Sequence, residues 1–509
     1  MLTWLHDLWM WFNANRLRQI VSAATAVVVV AALIVAVCVT VSRSRMCAPG
    51  VRHVGDECVG VSPGSYVFAP PLAEVEKVIS RENDAVAKKP HVTIALLMPL
   101  TDANPNAQAE ILHAVQGAYV AQYRANHEQN DEGPPIRLVL ANPGVNSAHW
   151  GDVVDRLHDM TDGPDNLRAV VGIAVSTTNT KNEVYALTHR GIPVVGGAIS
   201  ADDITNSPGR DDRYPGLSRV SPTNDEVAPA LTRFGGVDTK EALLVEDART
   251  DDNYISTLAA AFGRHLTGSP QQPELYTSPK DIDQEGDTPR QFRQMVPNIC
   301  QSGVKWIYFA GRQVQLRVFI NALEKRGCQD RKFTILTGTV ASHLGNDPKL
   351  SAGAFATGIT LDYAAIAHPG AWSGPHVPAT GGSRQGYEAF ASTLNDAATR
   401  SIGPTGTTDG QAIITHDAVW TAVAQVRDAT SEGSPIPSIG AVANERRSLH
   451  DVHKVIGASG WICLDNGGNP YDKAVPIVQY QTNGTPRFIT LAWPTGAPPA
   501  ETCTAPFIR

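Results

Sequence analysis

The amino-acid sequence predicts an α/β protein in which two doubly wound lobes, joined by a hinge, follow one N-terminal transmembrane helix. Three observations support this prediction. Residues 20–41 form an apolar run without any charge. Apolar strand-like segments then alternate with helix-like segments, and the alternation restarts near residue 242. The chain after the run also exceeds the ~250–300 residues beyond which one hydrophobic core seldom grows.

The apolar run at 20–41 reads IVSAATAVVVVAALIVAVCVTV. As a helix it is roughly 33 Å long, which suffices for a hydrocarbon core of ~30 Å. A cleavable signal peptide is the main alternative, but its apolar region is normally about 7–15 residues long. Cys38 raises a lipoprotein alternative, which Val37 disfavours because Gly or Ala normally precedes a lipidated cysteine. We therefore expect a single-pass anchor with a short cytoplasmic N-terminus at 1–19.

Six cysteines lie outside the apolar run: Cys47, Cys58, Cys300, Cys328, Cys463 and Cys503. An even number is compatible with three disulfides, although six cysteines allow fifteen connectivities. Cys47 and Cys58 are near enough in sequence to close a small loop. Cys300 and Cys328 each end a predicted helix before a strand, which places both at one edge of a sheet. Because disulfides persist in oxidising compartments, we expect an extracytoplasmic C-terminal domain at the cell membrane; six buried free thiols are the alternative.

The first series of elements follows a predicted stalk at residues 42–90. Its near-continuous apolar runs are typical of strands that are buried on both faces. These strands lie at 92–100, 136–141, 169–174 and 192–197. Helical segments separate them, at 107–127, 148–160 and 180–190. Four strands separated by three helices predict a parallel, doubly wound sheet.

The second series repeats this pattern and then returns to the first. Its strands are predicted at 242–247, 306–311 and 333–338, and its helices at 254–266, 289–301 and 314–326. Near the end, a β-hairpin is predicted around the turn at 465–469. The predicted division of the chain is 91–222 plus 359–455 for lobe one, 223–358 plus 456–492 for lobe two, and 493–509 for a C-terminal tail.

Six segments carry a family resemblance in the same order along the chain. They are VTIALLMPL with the following Gly117-Ala118 helix, AVVGIAVSTTNT, GIPVVGGAISADDIT, LSRVSPTNDEVAPAL, WIYFAG, and GASGWICLDNGGNP with Leu464 in place of the usual Phe. Together they resemble the type I periplasmic solute-binding proteins of the branched-chain amino-acid-binding branch, over about residues 92–480. The resemblance implies a two-lobed binding protein without enzymatic activity or cofactor, serving an ABC permease.

The candidate ligand site of lobe one lies at strand ends. Ligands of open α/β sheets bind beyond the carboxyl ends of the strands, so two facing sheets form a cleft. The resemblance implies that Ser176, Thr177, Ala198 and Ser200 bind the carboxylate of an amino acid. Hydroxyls and free N–H groups at a helix start favour an anion. The alternative is an ordinary helix N-cap at Ser176-Thr177-Thr178.

The candidate residues of lobe two match the family less well. Tyr254 is the nearest match to a family Tyr-Gly pair, but Ile255 replaces the Gly. Arg312 follows Gly311 at the end of a strand, which is unusual. Thr339 lies in the turn TGTVAS, where the family places an acidic residue for the ligand's ammonium group.

That turn contains no carboxylate. Either Asp247 or Asp362 supplies the acidic group, or the ligand is no ordinary amino acid.

Two other patterns that resemble metal sites favour ordinary structure. Asp281, Asp283 and Glu285 imitate a calcium loop but lack its final Glu, and His450 with His453 has no partner cluster. No metal site is therefore expected.

Composition sets the remaining limits. A formal net charge of −8 and a pI near 6.0 disfavour a nucleic-acid partner. We expect a membrane-anchored extracytoplasmic protein that captures a small polar, amino-acid-like solute between two lobes, for an ABC-type transporter. The alternative is an anchored ligand sensor or interaction protein with no transport role.

Overall fold

The computed structural model of the protein describes residues 20, 24, 25, 27–29, 31 and 46–505, except 129–132, 174, 208–211, 352, 397–399 and 432. Residues 1–19 and most of the predicted anchor at 20–41 lie outside the described residues. The seven described residues of the anchor are helical. Within the described part of the chain, no helix has the length and apolar character needed to cross a membrane.

The chain divides into two compact units, Met1–Cys58 and Val59–Arg509. The first unit contains the antiparallel pair β1 (Met46–Ala48) and β2 (Val51–Val54). A disulfide joins Cys47 to Cys58 within this unit, so the small loop expected from the sequence is confirmed.

The second unit contains two large sheets, and the strands of the first follow in chain order. They are β3 (Glu57–Ser62, of which Val59 to Ser62 lie in this unit), β4 (Val92–Leu97), β5 (Ile136–Asn142), β6 (Leu167–Gly172), β7 (Val194–Gly196) and β8 (Leu217–Arg219). The spatial order is β3-β5-β4-β6-β7-β8. β4 to β8 run parallel, while β3 is antiparallel to β5. All six residues of β4 are buried, as its uniformly apolar sequence predicts.

The second sheet has the order β10-β9-β11-β12-β13-β16-β17. Its strands are β9 (Ala242–Asp247), β10 (Glu274–Tyr276), β11 (Trp306–Ala310), β12 (Phe333–Thr337), β13 (Ile359–Ala364), β16 (Val475–Tyr480) and β17 (Pro486–Ala492). Between β13 and β16 in the chain, β14 (Val455–Gly457) and β15 (Gly460–Ile462) form a separate two-stranded sheet. β9 to β13 run parallel, and β16 and β17 are antiparallel.

Twelve α-helices are described: α1 (Ala73–Val86), α2 (Pro105–His127), α3 (Trp150–Asp159), α4 (Thr178–His189), α5 (Asn224–Gly235), α6 (Asn253–His265), α7 (Thr288–Ser302), α8 (Gln313–Glu324), α9 (Gly370–Ser373), α10 (Arg384–Asn395), α11 (Gln411–Asp428) and α12 (Ile439–Glu445). Short 3-10 helices lie at Pro70–Leu72, Val145–Ser147, Thr239–Glu241, Thr339–Asn346, Ala354–Thr357, Arg400–Ile402 and Asp451–His453. We use "first lobe" and "second lobe" for each large sheet with the helices packed on it.

Three predicted boundaries differ from the structure. The stalk predicted at 42–90 ends earlier, because Gly60 to Ser62 pair with β5 in the first sheet. Residues 359–364 were predicted in lobe one but form β13, which pairs with β12 in the second sheet. The predicted hairpin at 465–469 is reduced to one bridge between Leu464 and Pro470, because β15 pairs with β14 and β16 with β17.

The two remaining disulfides complete the predicted set. Cys300, in α7, is bonded to Cys328, which follows α8. Cys463 is bonded to Cys503, which ties the predicted tail to the segment after β15. All six cysteines named from the sequence are therefore paired, and the alternative of free thiols was wrong.

Helices α2 and α11 pack closely together at Gly117. A Cβ atom added at Gly117 would lie 2.1 Å from the carbonyl oxygen of Ala412 in α11. Only glycine permits this approach. The Gly117-Ala118 pair that contributed to the resemblance therefore has a packing role.

Candidate functional site

The two lobes meet where the loop after β6 reaches the first turn of α6. The N–H of Tyr254 donates to the carbonyl oxygen of Ser176 over 3.1 Å. The hydroxyl of Thr178 donates to the carbonyl oxygen of Asp251 over 3.0 Å. We call this region, residues 176–178, 198–203, 251–254 and 312, the cleft. It lies beyond the carboxyl ends of strands in both sheets, where the ligand site was predicted.

The predicted carboxylate-binding loop is engaged in bonds within the protein. Ser176 is buried, and its Oγ accepts from the N–H of Ala201 over 3.4 Å. Thr177 is the N-cap of α4, where its hydroxyl accepts from the N–H of Thr180 and its own N–H donates to the Thr180 hydroxyl. For Thr177 the structure therefore has the N-cap arrangement that was weighed as the alternative.

Ala198 and Ser200 lie beside this loop because β7 pairs in parallel with β6. Ser200 is buried, and its carbonyl oxygen accepts from the N–H of Asn224 at the start of α5 over 2.8 Å. Ala198 is half-buried. The four residues predicted for the first lobe thus lie on two adjacent loops.

Arg312 contributes a positive charge from the second lobe to the cleft. It is the residue before α8, and its Nε and Nη2 atoms each donate over 2.8 Å to the two carboxylate oxygens of Asp252. Nη2 also donates to the carbonyl oxygen of Ser176 over 3.2 Å. The guanidinium carbon lies 4.8 Å from the ring centroid of Tyr254. Asp252 was not among the predicted residues.

Tyr254 is buried beneath this ion pair. Burial raises the pKa of Tyr254 to about 12, against the opposing charge of Arg312, so the phenol stays neutral. Its hydroxyl lies beside Thr339, yet no group in the described ranges makes a well-aligned hydrogen bond to it. Of the three residues predicted for the second lobe, Tyr254 and Arg312 are in contact, and Thr339 is their neighbour.

Asp247 and Asp362, the two acidic residues considered from the sequence, have other partners. One oxygen of Asp247 accepts from the N–H groups of Arg249 and Ser278, over 3.1 and 3.2 Å. Asp362 lies within β13, where Gln479 donates to it over 2.8 Å and burial raises its pKa. The carboxylate that meets Arg312 comes instead from the loop between β9 and α6.

The calcium-like loop is occupied by bonds within the protein. Asp283 accepts from Asn104 over 2.7 Å, and Glu285 pairs with Arg317 over 2.7 Å. Across the described residues, no group of three or more His, Cys, Asp and Glu side chains is arranged for a metal ion.

A separate cavity of about 290 Å³ lies at the opposite edge of the first sheet, lined in part by Ser80, His91 and Arg137.

A buried polar network lies where the chain passes from the first lobe back to the second. Asp417 of α11 accepts from the N–H groups of Ala458 and Ser459, over 2.8 and 2.7 Å. The ammonium group of Lys473 donates to the Ser459 hydroxyl over 2.9 Å. Burial lowers the pKa of Lys473 to about 8 and raises the pKa of the nearby Glu226 to about 8. This network fixes the crossing segment, and sequence reasoning missed it.

The Asp-Asn-Gly-Gly-Asn motif at residues 465–469 also fixes the segment that crosses between the lobes. Asn469 Oδ1 accepts from Arg219 Nη2 over 2.8 Å and from the Thr205 hydroxyl over 2.5 Å. Gly468 adopts a φ of +82°, and a Cβ there would lie 2.1 Å from the carbonyl oxygen of Leu217. The motif therefore docks the crossing segment against β8.

No protein-family model and no curated protein matches the chain. Solved structures match it at low identity. A leucine-binding protein LivK from Thermotoga maritima is 17% identical, with a TM-score of 0.55, covering 79% of this chain and 98% of its own. LivJ from Streptococcus pneumoniae in complex with isoleucine is 13% identical, with a TM-score of 0.56, covering 79% and 99%.

A third structure is an ABC transporter solute-binding protein from R. palustris in complex with 4-hydroxybenzoate. It is 13% identical, with a TM-score of 0.53, and covers 77% of this chain and 93% of its own. At these identities the likeness is one of fold. The chain has two sheets whose strand ends meet at one cleft, and it crosses between the two lobes several times. Both features agree with that fold. The chain therefore has the type I periplasmic-binding-protein fold that was predicted from its sequence.

Proposed function

We propose that the protein is a membrane-anchored, extracytoplasmic solute-binding protein. It captures a small polar, amino-acid-like ligand between its lobes, for an ABC-type transporter. The observation that carries this proposal is the convergence of Ser176, Tyr254 and Arg312 at the carboxyl ends of both sheets. An open α/β fold binds its ligands at this location.

The solutes named for the structural relatives support the class of ligand. Leucine, isoleucine and 4-hydroxybenzoate each contain a carboxylate. In the cleft of this chain, the guanidinium group of Arg312 matches a carboxylate and the carboxylate of Asp252 matches an ammonium group. A zwitterionic solute satisfies both charges when it enters between them.

We also infer the location of the protein from its sequence and its disulfides. The apolar run at 20–41 is long enough for a transmembrane helix. The three disulfides favour an oxidising compartment for the residues that follow. An anchor at the N-terminus would hold the binding domain at the outer surface of the cell membrane.

The second candidate function is a sensor or interaction protein without a transport role. One observation favours it: the Ser176 carbonyl oxygen of the first lobe already accepts from Tyr254 and Arg312 of the second lobe. Lobes that close on one another in this way need no solute for their contact.

A thermal-shift screen of the full chain in detergent separates the two functions. A solute at about 100 times its dissociation constant stabilises the folded state by about 2.7 kcal/mol. We expect an amino acid or a related small carboxylate to raise the melting temperature of the wild-type chain.

Asp252→Asn should abolish that gain, because the neutral amide cannot pair with an ammonium group. Asp287→Asn is the matched control, since Asp287 lies outside the cleft, its side chain is 54% exposed and its partner is Arg290. It should retain the gain. Absence of a shift across a broad panel of metabolites would instead support the non-transport function.

A further inference from the structure

The guanidinium group of Arg312 has the surroundings of a bound cationic ligand. A carboxylate contacts it through two bonds of 2.8 Å from Asp252. A carbonyl oxygen, that of Ser176, accepts from it over 3.2 Å. The face of an aromatic ring, that of Tyr254, lies 4.8 Å away. Carboxylates, carbonyl oxygens and aromatic faces are the groups by which proteins recognise ammonium and guanidinium ions.

These contacts join the two lobes. Ser176 belongs to the first lobe, whereas Asp252, Tyr254 and Arg312 belong to the second. The Ser176 carbonyl accepts both from Arg312 and from the N–H of Tyr254. Both donors of the second lobe therefore share one acceptor across the cleft, and Asp252 holds one of these donors, the guanidinium group.

Burial strengthens this arrangement. The side chain of Arg312 is 12% exposed and that of Asp252 is 2% exposed. Charge-assisted hydrogen bonds are stronger than neutral ones, and little water competes for them at this depth. Asp252 is held in addition by the N–H of Ile255, which its side chain caps over 3.1 Å.

We propose that Arg312 is an internal substitute for the cationic group of a ligand, and that it holds the cleft closed while no solute is bound. A solute with an ammonium group must displace the guanidinium group from Asp252 and from the Ser176 carbonyl. The first part of this proposal is independent of the proposed function, and the displacement by a solute rests on it.

Hydrogen–deuterium exchange of the full chain in detergent tests the first part without any solute. The signal is the backbone N–H of Tyr254, which is protected by the Ser176 carbonyl. Arg312→Ala should increase exchange in the peptide covering residues 252–256 by about tenfold, since the charged bonds that align the cleft are lost. Millimolar N-ethylguanidinium, which matches the atoms removed, should restore slow exchange in the variant and leave the wild-type chain unchanged.

Arg317→Ala is the matched control. Arg317 lies in α8, the helix that Arg312 precedes, is 6% exposed and pairs with Glu285 inside the second lobe. Its replacement should leave exchange at 252–256 unchanged. Unaltered exchange in Arg312→Ala, or faster exchange that N-ethylguanidinium does not reverse, would overturn the proposal. If Arg312→Ala does not fold, Arg312→Lys provides the comparison: a partial increase is expected, and wild-type exchange would contradict the proposal.

Discussion

Replacement of Asp417 by alanine is expected to lower the free energy of unfolding by about 3–5 kcal/mol, the usual range when one partner of a buried charged network is removed. The Asp417 carboxylate is fully buried and accepts from two backbone N–H groups, from the Ser459 hydroxyl over 2.5 Å and from His416 over 2.8 Å. Alanine leaves all of these donors buried without their acceptor.

The protonation of His416 follows from its two neighbours. Arg124 can only donate, and its Nη1 lies 2.9 Å from His416 Nε2, so Nε2 must be the acceptor. Nδ1 therefore carries the hydrogen and donates to Asp417. Burial lowers the pKa of His416, which agrees with a neutral ring. Asp417 consequently provides the negative charge that faces Lys473.

Chemical denaturation of the purified chain measures this effect. Asp417→Asn retains the volume and one acceptor oxygen, so its loss of stability should be smaller than that of Asp417→Ala. Asp428→Ala is the control on the same helix, because Asp428 is exposed; its effect should stay within about 0.5 kcal/mol. An Asp417→Ala variant as stable as this control would contradict the role given to the network.

Replacement of Gly117 by valine is expected to cost about 3 kcal/mol or more, at the upper end of what overpacking a core causes. The atom that an added Cβ would meet is the Ala412 carbonyl oxygen, 2.1 Å away, followed by the Ala412 carbonyl carbon at 2.8 Å. Both are backbone atoms, which cannot rotate aside as a side chain can. Helices α2 and α11 must separate to admit the new side chain.

A comparison of alanine substitutions isolates this steric effect. Gly151 lies in α3 and has no atom within 4 Å of an added Cβ. Gly151→Ala should stabilise the protein by about 0.5–1 kcal/mol, because alanine favours a helix over glycine. Gly117→Ala should instead lower the denaturation midpoint. Equal shifts for the two variants would show that the helices do not touch at Gly117.

The parallel sheets were predictable because each of their strands is a local apolar run. β4, β9 and β11 begin at the predicted residues or within one residue of them. The placement of β13 was not predictable in this way, because ITLDYA reads equally well as a strand of either sheet. Its partner, β12, decides the matter, and that pairing is a tertiary contact.

The residues of the candidate site were likewise predictable only in part. Strand ends and the family resemblance indicated Ser176, Tyr254 and Arg312, since each follows a recognisable strand. Asp252 gave no such signal: it is one of several acidic residues in the stretch EDARTDD, and its partner Arg312 is 60 positions away. Likewise, Asp417 lies in a helix whose sequence does not show that it binds residues 458 and 459.

The proposed function requires a solute to bind in the cleft between the lobes. Hydrogen–deuterium exchange of the full chain, with and without the solute selected by thermal shift, locates the binding site most directly. The proposed function predicts added protection in the loops at 175–178 and 198–203 and in the first turns of α6 and α8. Protection confined to the cavity near Arg137, or no change in the cleft at saturating solute, would contradict it.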